Sequence, residues 1–221
     1  MSWREAPGMM QIEAIPVGVF VMNCYLAWDP TTKEAVVIDP GDEVPRISKR
    51  ITELGLKVSH ILLTHGHIDH VAYAEDLHKL LKVPMLLHKD DWEMARAAPE
   101  QAAMFGLPPG PLPRIDSEIP VSKEFRAHPF QFDVRHTPGH SPGSVTMINH
   151  AEHMAFVGDV VFQGSVGRTD LPGANHETLM RSIASHILPL PDDYRLFPGH
   201  GPPTTVGAER RTNPFLVQLT R

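Results

Sequence analysis

Cysteine is all but absent from this 221-residue chain. Cys24 is the only one, so no intrachain disulfide can close and no cysteine-based zinc knuckle can be completed. That usage fits a reducing compartment, and the expectation is a cytoplasmic protein. Basic charge is scarce as well. Lys and Arg number 20 against 26 Asp and Glu, the net charge is −6, and the cations form no run able to neutralise several phosphates. Nucleic acid is therefore not expected as a partner. Long hydrophobic runs are missing too, since no uninterrupted apolar stretch approaches the roughly 18 residues that a spanning helix needs. No membrane partner is expected. The nearest thing to a secretion signal, residues 15–28, is broken by Asn23, preceded by Glu13 and the balanced pair Arg4/Glu5, and lacks an Ala-x-Ala cleavage pattern. It reads as strand. On oligomeric state the sequence is silent.

Aromatic residues make up only 7% of the chain, yet histidine occurs 14 times. Such a surplus asks for a metal or proton-transfer explanation before a packing one. Gly and Pro, at 16 and 22 residues, stay below the share of about 25–30% at which low-complexity disorder becomes the better reading.

Short β-type runs alternate with helical periods along the chain. Residues 11–17, 19–28 and 34–38 read as strands, the last entering the turn Asp39-Pro40-Gly41. Val44, Ile47, Ile51 and Leu54 recur at helical spacing, bounded by Asp42-Glu43 and Gly55. Residues 58–63 form a compact apolar run that delivers its end into Thr64-His65-Gly66-His67. Val71, Ala74, Leu77 and Leu81 then mark a helix, and residues 83–87 another strand. The proline-rich stretch 98–120 reads as a long covering loop. Beyond it, residues 125–136, 144–148 and 154–157 read as antiparallel strands, Leu179, Ile183 and Ile187 as a last long helix, and residues 194–197 as a final strand. No repeat and no linker rich in Gly, Ser or charge divides the chain. One domain over residues 1–221 is expected, an α/β layered sandwich with sheets in the middle and helices on both outer faces.

The strongest local signal is Thr64-His65-Gly66-His67-Ile68-Asp69-His70. A chance match to His-x-His-x-Asp-His in a chain of this composition has odds of roughly 3 in 1,000, so coincidence explains it poorly. Two histidines one residue apart at a strand end can aim at one point, while Asp69 and His70, opening the next helix, offer a carboxylate and an imidazole to a second point nearby. Further ligands must come from distant sequence. Three segments qualify, Thr137-Pro138-Gly139-His140, Val157-Gly158-Asp159 and Phe197-Pro198-Gly199-His200, each bringing a His or Asp out of an apolar strand after a glycine that permits close backbone approach. Cys24, in an alternating apolar strand, reads as a buried inert thiol.

In type, order and flanking residues, the set His65, His67, Asp69, His70, His140, Asp159 and His200 is similar to the metallo-β-lactamase fold superfamily, over a core of about residues 12–216. Within it the chain most resembles the short glyoxalase II-like hydrolases, down to Asn23-Cys24-Tyr25-Leu26, Gly158-Asp159-Val160-Val161-Phe162 and Asn213-Pro214-Phe215-Leu216. The resemblance implies a four-layered αββα sandwich with two divalent metal ions at one edge of the sheets. His65, His67 and His140 would hold one ion, Asp69, His70 and His200 the other, and Asp159 would bridge them. Asp39 matches a position that orients the metal site from behind its ligands. Arg168 matches a basic substrate-contacting position, and Asp170 stands where longer relatives have a substrate-binding tyrosine. Those longer enzymes also carry a C-terminal helical domain with further glutathione contacts, which is not expected here.

Two such ions lower the pKa of a shared water far below its ordinary value, to about 7, providing hydroxide at neutral pH, with Asp69 placed to accept a proton. A thiolate, from a thiol of pKa near about 8.5, departs without strong acid assistance, so a thioester suits a site lacking an obvious general acid. The resemblance supplies the substrate: S-2-hydroxyacylglutathione, such as S-lactoylglutathione, cleaved to the hydroxy acid and glutathione. Zinc is the first expectation for the metal, with iron or manganese suiting the same ligands. The rival from another reaction class is a persulfide dioxygenase with a single iron on His65, His140 and Asp159. A metal-stabilised binding module without catalysis ranks third, because seven ligands for two ions leave room for water.

Overall fold

Apolar alternation and tight turns build the first sheet. In the computed structural model, which describes residues 10–220, β1 (Gln11–Val17) and β2 (Met22–Trp28) form an antiparallel hairpin, and β3 (Glu34–Ile38) pairs with β2. The chain read from the sequence as strand from residue 19 instead reverses there. Gly18 and Val21 both take left-handed backbone, with φ of 65° and 53°, and Val19 to Val21 form the exposed tip of the turn. From β3 onward the pairing is parallel, through β4 (Lys57–Leu62), β5 (Met85–Leu87) and the short β6 (Ser117–Glu118). Helix α1 (Val44–Leu54) starts with Pro45 in its first turn, where no amide donor is needed, and stops at Gly55 in left-handed backbone. The helical stripe beyond the histidine motif is split into α2 (Ile68–Val71) and α3 (Ala74–Leu81).

Ile47 and Ile51 of α1 with Ala74 and Leu77 of α3 cover one face of this sheet, packing with Ile15, Cys24, Leu26, Val37 and Ile61. The alternate residues Tyr25, Ala27, Val36, Ile38 and Leu62 are buried as well, which accounts for apolar runs with no polar face. The stretch expected as a covering loop is partly helical. After α4 (Trp92–Arg96), α5 (Ala98–Met104) forms because Pro99 falls in its first turn and alanines follow, with Ala98 and Ala102 buried.

A second six-stranded sheet has β7 (Phe125–Ala127) at one edge, followed by β8 (Phe130–His136), β9 (Val145–Asn149), β10 (Met154–Gly158), β13 (Arg195–Pro198) and β14 (Thr204–Thr205). Strands β8, β9 and β10 are antiparallel neighbours, while β13 lies parallel to β10. A small hairpin, β11 (Val161–Phe162) and β12 (Ser165–Val166), follows β10. Helix α6 (His176–Ser182), capped by the Asn175 side chain, runs into a π-helical turn at Ile183–Ile187. Its Leu179, Ile183 and Ile187 pack with Ile148, Ala155, Val157 and Leu196. The strand expected to be final is followed by β14 and α7 (Val206–Thr212), whose Val206 joins the same cluster.

Contacts divide the chain into two compact units. One holds the described residues through Ile119 with Arg126–Gln131, the other Pro120–Phe125 with Phe132 onward. Each has one sheet and one layer of helices, so the α/β class read from the sequence is what the structure has. Among the described residues no helix is long and apolar enough to cross a membrane. Cys24 is fully buried, and desolvation, aided by the negative charge of Asp39, pushes its thiol pKa well up. Iodoacetamide is expected to leave Cys24 unmodified in the native protein and to label it only after unfolding, as mass spectrometry would read; rapid native labelling would contradict this burial.

Candidate metal centre

Parallel strands put their C-terminal ends at one edge of a sheet, where α/β proteins place ligands. In the first unit Asp39 follows β3, Thr64 and His65 follow β4, and Asp91 closes the turn after β5. The His65 ring meets that of His67 edge-on at 4.9 Å and lies 4.0 Å from that of His70. Asp69, with 17% of its side chain exposed, brings Oδ2 to 3.8 Å from His70 Nε2. All four ligand candidates of the motif are thus gathered in one place.

Hydrogen bonds behind the rings decide what they present. Asp39, 1% exposed, accepts the Thr64 amide on Oδ1 at 2.7 Å, and the Thr64 hydroxyl on Oδ2 at 2.7 Å. The same Oδ2 faces His70 Nδ1 at 2.9 Å. A carboxylate only accepts, so His70 carries its proton on Nδ1. The Thr64 hydroxyl spends its proton on Asp39 and can only accept from His65 Nδ1, 3.1 Å away. Both imidazoles therefore carry Nδ1–H, which turns Nε2 toward the site as the atom a metal would take.

The second unit repeats the device. Strands β8, β10 and β13 point the same way, and His140, Asp159 and His200 follow their C-terminal ends. His140 donates from Nδ1 to the Arg168 carbonyl at 2.8 Å, which turns its Nε2 toward Asp159 Oδ2 at 3.5 Å. His200 Nε2 lies 3.6 Å from the same oxygen, and Phe162 meets the His200 ring edge-on. Two imidazole nitrogens and a carboxylate oxygen converging at 3.5–3.6 Å form a donor set that suits a cation. Two glycines make it possible. A Cβ on Gly139 would fall 2.2 Å from the Leu179 amide nitrogen, and one on Gly167 would fall 1.9 Å from the Asp159 carbonyl oxygen, so the loops close on His140 and Asp159 only without side chains there.

Nitrogen and oxygen donors without a thiolate suit zinc, iron or manganese, so the residues present fit the divalent ions that the fold implies. Each unit gathers its own share of the expected residues, His65, His67, Asp69 and His70 with Asp39 in the first, His140, Asp159 and His200 in the second. Arg168 serves this site through its carbonyl, while its guanidinium grips Asp170 with two bonds of 2.7 Å. That pairing holds the Asp170 carboxyl down at about 2. Three supports went unread in the sequence. The Asp91 carboxylate, fully buried, accepts the Gly66 amide at 2.8 Å, Gln101 accepts the Ile68 amide at 3.3 Å, and Thr64 links His65 to Asp39. For Asp91 and Gln101 no sequence signal existed, because each lies 25 or more residues from the backbone it fixes.

Strand-end imidazoles backed by a buried carboxylate, on an α/β frame, define a metal-dependent hydrolase. The chain belongs to the metallo-beta-lactamase superfamily, whose family model matches residues 17–200. It is similar to the hydroxyacylglutathione hydrolase GloC of Haemophilus influenzae, with 44% identity covering 94% of this chain and 98% of that protein. Among solved structures it resembles the B3 metallo-beta-lactamase BLEG-1, with 37% identity and a TM-score of 0.88 over 93% of this chain and 99% of that one. It also resembles TTHA1623 in a di-iron-bound form, with 41% identity and a TM-score of 0.83 over 92% of this chain and all of that one.

Proposed function

We propose that this chain hydrolyses glutathione thioesters of 2-hydroxy acids, S-lactoylglutathione among them, to the hydroxy acid and glutathione, in the cytoplasm. The observation that carries the reading is its 44% identity, over nearly the whole of both chains, with a hydroxyacylglutathione hydrolase. In this reading His65, His67 and His140 would hold one divalent ion and Asp69, His70 and His200 a second, with Asp159 available to both. Zinc is the first expectation, and the di-iron form of a 41% identical structure supports iron as the alternative. Such a pair of ions supplies Lewis acidity for the thioester carbonyl and brings a water to a pKa near neutrality.

The chain's own residues do the rest. Asp39 holds the Nδ1 side of His70 directly and that of His65 through Thr64, and so aims their Nε2 atoms. Asp69, partly exposed, is the carboxylate placed to take the proton of the attacking water. No general acid is required, because a thiolate leaves unaided. Arg168 meets a glutathione carboxylate by exchanging partners, since its bond to Asp170 lies in solvent, with 57% and 68% of the two side chains exposed, and such pairs contribute little. Arg168→Ala keeps the carbonyl that holds His140. It is expected to raise KM for glutathione thioesters about 3- to 10-fold with a smaller change in kcat. Steady-state kinetics on a thioester without glutathione carboxylates provides the control, and an equal loss there would remove the role.

Metal analysis of the purified protein, with assays on S-lactoylglutathione, on glutathione persulfide with and without oxygen, and on a β-lactam, tests the reading. Thioester cleavage that disappears on chelation and returns with zinc, iron or manganese is the expected result. Oxygen consumption on the persulfide, or β-lactam cleavage, without thioester hydrolysis would replace it.

A further inference from the structure

A cleft of about 290 Å³ in the first unit adjoins the histidine cluster, with Asp69 among its lining residues. Val19 and Phe20, on the turn between β1 and β2, form one side, and Tyr73, Leu107 and Pro108 contribute to the rest. Phe20 meets Phe105 edge-on at 5.4 Å, which ties the turn to the segment that follows α5. These segments carry apolar side chains into solvent, Val19 at 70% exposure, Met104 at 82% and Phe105 at 49%. Isolated exposed apolar residues need no explanation. Several of them on two segments joined across a cavity mark a surface kept for an apolar ligand.

Charge says which part of a thioester fits. The cleft is lined by no Lys or Arg, while Asp42 and Asp69 supply carboxylates. The glutathione half, which carries two carboxylates, finds no cation there and would be repelled. The acyl half is uncharged, and its carbonyl must lie beside the residues that surround the reacting water, of which Asp69 is one. A lactoyl group offers the cleft one methyl and leaves most of its apolar wall wet, whereas an aromatic or branched acyl group would cover it.

Resting on the thioester reading above, we propose that this cleft binds the acyl half of the substrate and makes the enzyme select bulky apolar 2-hydroxyacyl groups, aromatic ones first, over lactoyl. The test compares kcat/KM for S-mandeloylglutathione and S-lactoylglutathione, and for the same two acyl groups on N-acetylcysteamine, with wild type, Phe20→Ala and Leu107→Ala. A preference for mandeloyl of about 10-fold or more is expected on both carriers, as a pocket gains from added apolar groups. Each variant is expected to bring that ratio down toward one, chiefly through KM for the mandeloyl thioester. Phe20 lies on an exposed turn, and circular dichroism checks that the variants fold. Equal kcat/KM for both acyl groups, or a preference that both variants keep, overturns the proposal while the thioester reading stands. Mandeloyl preference on N-acetylcysteamine without turnover of either glutathione thioester keeps the cleft and removes glutathione. No turnover of any of the four overturns both.

Discussion

Asp159→Ala is expected to strip the protein of bound metal and of thioester turnover in one step. Asp159 Oδ2 lies 3.5 Å from His140 Nε2 and 3.6 Å from His200 Nε2, and its carboxylate supplies the negative charge between two imidazoles. His140 is held by the Arg168 carbonyl at Nδ1, which fixes the direction of its Nε2. Without the carboxylate, the two imidazoles lose the negative charge that would draw a divalent ion between them, and with the ion would go its acidifying effect on a nearby water. Activity should fall by about a thousand-fold or more. The metal-free variant should still fold. What disappears is the rise in melting temperature that added metal gives the wild type by binding the folded state. Metal content by atomic emission and melting curves with and without zinc check this, and a variant that keeps both metal and turnover would defeat the assignment.

Asp39→Asn separates metal orientation from packing. The amide keeps the size of the carboxylate, and asparagine tolerates the left-handed backbone of this position, where φ is 53°. It replaces one acceptor with a donor, in a place where Oδ2 receives both the Thr64 hydroxyl and His70 Nδ1. One remedy is for His70 to move its proton to Nε2, the atom needed for a metal; the other leaves two buried donors facing each other. Metal affinity is expected to drop about 10- to 100-fold, the usual cost of losing the partner behind a ligand histidine. Stability should fall by about 1–3 kcal/mol, as for a buried polar group left without its partner. Asp39→Ala should cost more, since the Thr64 amide, the Thr64 hydroxyl and His70 would all lose their acceptor. Metal titration and denaturant unfolding of the metal-free protein measure the two effects separately. Unchanged affinity in the asparagine variant would show that Asp39 is only a turn residue before Pro40.

Most of the strand pattern was legible because buried strands announce themselves as short apolar runs, as at Lys57–Leu62 and Met154–Gly158. The misreadings share a cause. Residues 19–21 are apolar enough for a strand, yet a hairpin of this register must reverse there, and pairing between β1 and β2 sets that register. Pro99 looked like a breaker, but a proline in the first turn of a helix breaks nothing. Helix α7 escaped notice because its buried side carries one large apolar residue, Val206, beside Gly207 and Glu209.

The sequence alone settled the kind of chemistry and which residues stand at strand ends, because a donor type and its spacing along a strand or loop are local properties of the chain. His-x-His-x-Asp-His, and a His or Asp placed after Gly139, Gly158 and Gly199, can be read without a fold. The tertiary structure decided which hydrogen bonds orient the rings and which residues wall the cleft beside Asp69. The tautomer of His140 depends on a carbonyl 28 residues away and that of His70 on a carboxylate 31 residues away, while Phe20 meets Phe105 across 85 residues. Hydrogen bonds and packing act over a few ångströms in space whatever the separation in sequence, so only folding assigns those partners.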